Sequence, residues 1–261
     1  MNALTNLLEK KRQNLLSVYF TAGYPHKDST TEIISSLQDA GVDFLEAGFP
    51  FSDPLADGPV IQQTSQQAIT NGMTLDCLLL QIEKARAGIT IPIVLMGYLN
   101  PVMQTGMENF CRKANKAGIS GVIIPDLPPD QYEARYLDLF KSYDLHMIFL
   151  VTPETSEQRI RNIDRLGSGF IYAVSSSSTT GRQDSFSDRQ KQYLRRLQKM
   201  NLRNPVITGF GIHSRNTLRT AWENSSGAII GSAYLKALMR EGSGQKAITQ
   251  LFGQLGLAGP V

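Results

Sequence analysis

Residues 42–62 read VDFLEAGFPFSDPLADGPVIQ, and the rest of the chain reads as the scaffold that holds them. The stretch opens on a short apolar run, Phe44-Leu45, into which an acid, Glu46, is set without a break in the pattern. Ala47 and Gly48 follow, then a turn-rich loop with Pro50, Pro54, Gly58 and Pro59 and two more acids, Asp53 and Asp57. A carboxylate inside a strand-forming run is costly to bury unless something pairs or uses it. Proline fixes φ, so the prolines at 50, 54 and 59 give the loop a set shape. The expectation is a buried acid at the C-terminal end of a strand, faced by a second acid on a rigid loop. A structural reading, with a paired Glu and a turn-capping Asp, fits the spacing equally well.

Outward from this stretch, short apolar runs rich in β-formers alternate with amphipathic helical patterns. The strand-like runs are 16–20, 44–47, 93–96, 121–124, 147–151, 170–174, 206–208 and 228–230. The helical patterns are 32–40, 75–87, 107–117, 131–143, 157–166, 190–200, 216–222 and 233–240, several ending in Gly or Asn as helix C-termini do. Repeated strand–helix units imply parallel strands with right-handed crossovers. Eight such units in 261 residues predict an α/β fold, a (β/α)8 barrel of the TIM type. An open doubly wound sheet lacks support, because Phe20 leads to Thr21-Ala22-Gly23 and not to a G-x-G-x-x-G turn. Extra N-terminal and C-terminal helices flank the barrel: 4–11 plugs its bottom and 247–255 packs outside. No domain boundary is visible, so residues 1–261 are read as one domain. The segment 175–187, SSSSTTGRQDSFS, reads as a long loop able to close as a lid.

Composition narrows the function. With 41% hydrophobic and 19% charged residues the chain has the balance of an ordinary core-forming domain. The net charge is only +3, and the longest basic run, Lys10-Lys11-Arg12, has no interleaved aromatics, so nucleic-acid binding has little support. Cys77 and Cys111 show no metal spacing, which fits a reduced, cytoplasmic setting. The N-terminal residues lack the apolar core of a signal peptide, and no run approaches the roughly 18 apolar residues of a membrane span.

In such a barrel, chemistry sits at the C-terminal ends of the strands. The unusual residues collect there: Glu46, then GYLNP at 97–101, PDLPP at 125–129, and Tyr172 before the serine-rich loop. The last two strands end TGFGI and IIGSAYL, with Gly211 and with Gly231-Ser232 opening a helix. Two glycine turns on adjacent strands, the second at a helix N-terminus, predict a phosphate cup, over which Gly181 of the long loop can close. Tight turns and an ordinary helix cap are the plain alternative. Tyr19 and Tyr172 lie where they can line a pocket for an aromatic substrate, although core packing explains them equally well. His26, His146 and His213 share no ligand spacing, so no metal is expected, and His213 beside the cup is read as a surface residue.

The segment LEAGFPFSDPLADGPVIQ, 45–62, resembles the signature of the tryptophan synthase alpha subunit family. YFTAGYP, MGYLNP, PDLPPDQ, the serine-rich loop ending TTG, TGFGI and GSA follow in that family's order. The resemblance covers the whole chain and implies a (β/α)8 lyase that cleaves indole-3-glycerol phosphate to indole and glyceraldehyde 3-phosphate. It implies Glu46 as the acid–base carboxylate and Asp57 as the carboxylate facing the indole. Tyr19, Ile61 and Tyr172 are then pocket residues, and Gly181, Gly211, Gly231 and Ser232 the phosphate site. It further implies an alpha2beta2 assembly with a beta subunit that carries pyridoxal phosphate (PLP), and no cofactor in this chain. Two features depart from the family pattern: Phe49 stands where a β-branched residue is usual, and the long loop lacks the Arg-Ala-Gly form common elsewhere. A different phosphosugar enzyme would need a Lys or a metal at a strand end, and no strand here ends in Lys. A non-catalytic activating subunit is at odds with an intact Glu46 and Asp57, whereas a lyase acting alone would share every one of these residues.

Overall fold

The computed structural model describes residues 2–174, 185–209 and 211–258. Among them, nine parallel strands form one sheet. They are β1 (Leu15–Thr21), β2 (Phe44–Gly48), β3 (Ile93–Met96), β4 (Gly121–Ile123), β5 (His146–Ile148), β6 (Leu150–Val151), β7 (Ile171–Val174), β8 (Val206–Gly209) and β9 (Gly227–Ile230). Their order is β5-β4-β3-β2-β1-β9-β8-β7-β6, so the two ends of the sheet are neighbours in sequence, separated by Phe149 alone.

The run at 147–151, expected as one strand, is thus two. β5 pairs with β4, and β6 pairs with β7. Phe149 carries the join, its carbonyl accepting the Tyr172 N–H at 3.0 Å. A closed barrel requires staggered strands, and here one strand exchanges partners halfway along. The eight expected barrel positions are filled.

Side-chain alternation divides the core. Leu15 and Tyr19 of β1, Phe44 of β2, Val94 and Met96 of β3, and Tyr172 of β7 belong to a cluster inside the barrel. Leu16, Val18, Phe20, Leu45 and Ala47 belong to the larger layer between sheet and helices. Glu46 follows Leu45 and precedes Ala47, so period two puts it on the interior face with Phe44.

The first helix, Ala3–Lys10, plugs the bottom as expected. Leu4 is fully buried in the interior cluster. Asn2 caps this helix through Leu4 N–H and donates to Ser120 O at 2.8 Å and Asp144 O at 2.6 Å. The last helix, Gly244–Leu255, lies outside, where Glu32 of helix Ser29–Asp39 accepts the Gly244 N–H at 3.1 Å. Two helices escape the sequence reading, Pro59–Thr70 and Leu99–Thr105. Proline at the first helical position was an available signal for the former. The pattern at 131–143 is two helices, Pro129–Arg135 and Leu137–Ser142, broken at Tyr136.

Leu4→Ala is expected to destabilise the protein by about 2–5 kcal/mol, the usual consequence of emptying a packed leucine site. Urea unfolding checks this, and a loss below about 1 kcal/mol would show that the plug is not part of the barrel core.

Candidate active site

β2 aims Glu46 into the barrel at the level of Tyr19 on β1 and Val94 on β3. The residue is fully buried, and neither carboxylate oxygen has a hydrogen-bond partner among the described residues. The paired structural glutamate is thereby set aside. Burial without compensation disfavours the charge, raising the carboxyl pKa from an ordinary 4.5 to about 8. Such a group can both hold and release a proton near neutrality.

The second acid, Asp57, stands on the loop that leads into helix Pro59–Thr70. It is partly buried, and burial raises its pKa. The Tyr98 O–H donates to Asp57 Oδ2 at 3.0 Å and works in the opposite sense, favouring the anion. Asp57 therefore does not cap the turn; a tyrosine from the next loop holds it.

Tyr19 and Tyr172 rise between the acids. Both phenols are buried and their pKa values are pushed up, first by burial and then by the negative charge of Asp57 and Glu46. Both need glycine beside them. A Cβ on Gly48 would collide with the Tyr19 phenol, and one on Gly209 with that of Tyr172. A narrow cleft of about 10 Å³ is lined by Tyr19, Phe49, Phe51, Asp57, Met96 and Tyr98. Phe51 and Tyr98 are stacked, with centroids 5.0 Å apart and planes 29° apart. Aromatic rings thus stand beside the Asp57 carboxylate. Ile61, on the first turns of helix Pro59–Thr70, is buried in the interior cluster with Tyr19 and Tyr172.

The loops after β8 and β9 carry the expected phosphate residues. Gly211 is exposed with φ +76°, a conformation that side chains disfavour. Gly231 is the N-cap of helix Ser232–Glu241, and no side chain hydrogen-bonds at this cap. Ser232, exposed, begins the helix, so the first-turn amides have no capping side chain to compete with an anion. Gly231 is adjacent to Tyr19, whose Cβ lies 3.6 Å from where a Cβ on Gly231 would stand. Gly181, with Arg182 and the rest of 175–184, lies outside the described residues. The end of that loop is described: Phe186 is buried and Ser187 forms a capping box with Gln190. His213 is half-buried and not a surface residue; its Nδ1 meets Gly211 O at 2.9 Å and its Nε2 is buried without a partner. No group of three or more His, Cys, Asp or Glu is placed to hold a metal ion among the described residues.

The sequence reading singles out Phe49 but misses Phe51 and Tyr98, which complete the aromatic wall. Their clustering depends on how two loops fold over one another. The available signal was an aromatic directly after a glycine at a strand end, as in Gly97-Tyr98.

Fold and site together define a (β/α)8-barrel protein with one carboxyl buried in the barrel and a second at its mouth. The sequence profile of the family described as "Tryptophan synthase alpha chain" matches residues 4–255. A tryptophan synthase alpha chain from Bacteroides fragilis is 49% identical over 258 residues, 99% of this chain and 98% of that relative. One from Parabacteroides distasonis is 50% identical over 255 residues, 98% of this chain and 99% of that relative. Among solved structures, the tryptophan synthase alpha chain of Legionella pneumophila superposes with a TM-score of 0.88 at 30% identity, covering 98% of this chain and 96% of that one. A chain of the tryptophan synthase complex from Pyrococcus furiosus gives 0.83 at 30% identity, over 94% and 97% of the two chains. The chain belongs to the tryptophan synthase alpha chain family, a lyase component of tryptophan biosynthesis.

The raised pKa of Glu46 makes stability depend on pH. The folded protein holds this proton to higher pH than the unfolded chain does, so the stability is full below about 4.5 and is lost as pH rises to about 8. Glu46→Gln removes that loss. The variant is expected to gain stability over wild type across this interval, by a few kcal/mol at the plateau. Chemical denaturation from pH 5 to 9 checks it; a constant difference between the two proteins would contradict the burial argument.

Proposed function

We infer that the chain, acting as one domain, cleaves indole-3-glycerol phosphate by retro-aldol chemistry to indole and glyceraldehyde 3-phosphate. The observation that supports this most is the buried Glu46, without a hydrogen-bond partner among the described residues and paired across the sheet with Tyr19, which lines an aromatic cleft together with Asp57. Breaking the bond between indole C3 and the side chain requires a proton delivered to C3 and one removed from the adjacent hydroxyl. A carboxyl with a pKa of about 8 serves both steps in turn. Protonation at C3 places positive charge on the ring nitrogen. An ionised Asp57 accepting that N–H stabilises the charge as it forms. Tyr19, Ile61 and Tyr172 shape the pocket, while Gly211, Gly231, Ser232 and the undescribed Gly181 hold the phosphate. Anchoring the phosphate supplies orientation from a part of the substrate that does not react. The chemistry asks for no cofactor in this chain, and PLP belongs to the partner.

The indole product is taken up, on this reading, by a beta subunit in an alpha2beta2 assembly in the cytoplasm. No helix is long and apolar enough to cross a membrane among the described residues. The partner-facing surface is the rim of the barrel mouth. Asp53, Asn100, Asp126 and Pro128 are exposed there, Pro54 partly so, and Leu55 is 91% exposed. Leu127 and Pro129, first counted with these turns, are buried and serve packing instead.

Glu46→Gln is expected to lower indole release by about 10²–10⁴-fold with the fold intact. Asp57→Asn should be similarly impaired in turnover while glycerol phosphate still binds. An assay of indole-3-glycerol phosphate cleavage decides, and more than about a tenth of wild-type turnover in Glu46→Gln would refute the assignment. Substituting Pro54 or Asn100 should weaken co-elution with a beta subunit on gel filtration while the isolated chain keeps its cleavage rate. Unaltered assembly would move the interface elsewhere.

A further inference from the structure

The loop segment that follows β3 has no role in the chemistry above, yet it makes the only described side-chain hydrogen bond to the Asp57 carboxylate. Tyr98, 8% exposed, is the N-cap residue of helix Leu99–Thr105. Its backbone is held from the next loop, where Asp126 Oδ1 accepts the Leu99 N–H at 2.9 Å. Its ring is held from the previous loop by stacking on Phe51. The phenol oxygen accepts the Ala56 N–H at 3.0 Å and donates its one proton to Asp57 Oδ2, also at 3.0 Å. The loops after β2 and β3 thus meet at one hydroxyl, and the loop after β4 fixes the backbone beside it. Asp57 Oδ1 has no hydrogen-bond partner among the described residues.

We propose that Tyr98 is the positioning residue for Asp57, fixing Oδ2 so that Oδ1 is left to accept the N–H of the substrate's indole ring. This inference rests on the reaction read above and names how one of its two carboxylates is set. The surroundings show why a brace is needed. The ionisable groups near Asp57 are Tyr19 of β1, Tyr172 of β7 and Tyr98, with Glu46 of β2 beside the first two and Asp126 beside the third. None is a cation. Burial pushes the Asp57 pKa up, and the Tyr98 hydrogen bond acts against it. The Tyr98 phenol is itself shifted upward by burial and by Asp57, so it keeps the proton it donates throughout the working pH range. The ring's place in the stack also means that deleting the hydroxyl removes one hydrogen bond without removing the wall.

The test is Tyr98→Phe. Two quantities are measured from pH 5 to 9: kcat and KM for indole release, and the titration of the Asp57 carboxyl by carbon NMR in the substrate-free protein. The expected result is that Asp57 titrates at higher pH in the variant and that the acid limb of kcat/KM moves with it. Activity should fall about tenfold at pH 5.5 and less at pH 7.5, as loss of a hydrogen bond to a charged group implies. In an Asp57→Asn background the same substitution should cost almost nothing further, because the two residues act as one unit. An unchanged Asp57 titration, or additive losses in the double variant, overturns the proposal. If the wild-type protein releases no indole while the NMR titration still moves, the reaction assignment fails and the brace on Asp57 stands. A thermal melt and a near-UV spectrum matching wild type confirm that Tyr98→Phe is folded.

Discussion

A buried carboxyl sits inside this barrel, and the packing around it shuts out water. Glu46 on β2 is fully buried and has no hydrogen-bond partner among the described residues. Left to itself, a group in that position would draw in solvent or rotate towards a partner. The interior cluster prevents both: Phe44, Val94, Ile123 and Ile229 fill the barrel, and Leu4 closes its bottom from the N-terminal helix. The penalty appears as a pKa near 8, which is the property an acid–base group needs at neutral pH. The same packing that closes the barrel therefore sets the proton affinity of this carboxyl.

The two acids reach different protonation states by different means. Glu46 is placed by a strand, whose alternation leaves no choice of direction, and its environment is apolar. Asp57 is placed by a loop and is held by a donor, Tyr98, which favours the charged form against the effect of burial. The two carboxyls thus differ in what surrounds them: burial alone raises Glu46, whereas at Asp57 the Tyr98 hydrogen bond acts against burial. The geometry between them is maintained by Tyr19 and Tyr172, whose phenols fit only because Gly48 and Gly209 carry no side chain. Glycine at the mouth of this barrel is thus as much a matter of room as of backbone freedom.

The distribution of polar contacts separates the bottom of the barrel from its top. At the bottom, Asn2 donates to Ser120 O and Asp144 O, and His146 bridges Thr5 and Ser168, with burial lowering the His146 pKa. At the top, among the described residues, Glu46 has no hydrogen-bond partner and the helix N-terminus at Gly231 has no capping side chain. Stability is built at one end and ligand capacity is left at the other, as in barrels generally.

Much of this was legible without coordinates. Strand-to-helix alternation depends on local periodicity, so it specified the barrel, the plug and the outer helix; Glu46 stood out as an acid in an apolar strand, although spacing alone left a paired structural glutamate equally open. Family signatures along the chain then pointed to the reaction. Tertiary structure alone decided the rest. It showed that the strand at 147–151 is divided at Phe149, because closure forces one strand to serve two neighbours at different heights. It also showed that Glu46 is unpaired, that Leu127 and Pro129 face inward, and that Tyr98 holds Asp57. These facts concern residues far apart in sequence whose meeting is set by barrel curvature and loop packing, and no local pattern encodes that meeting.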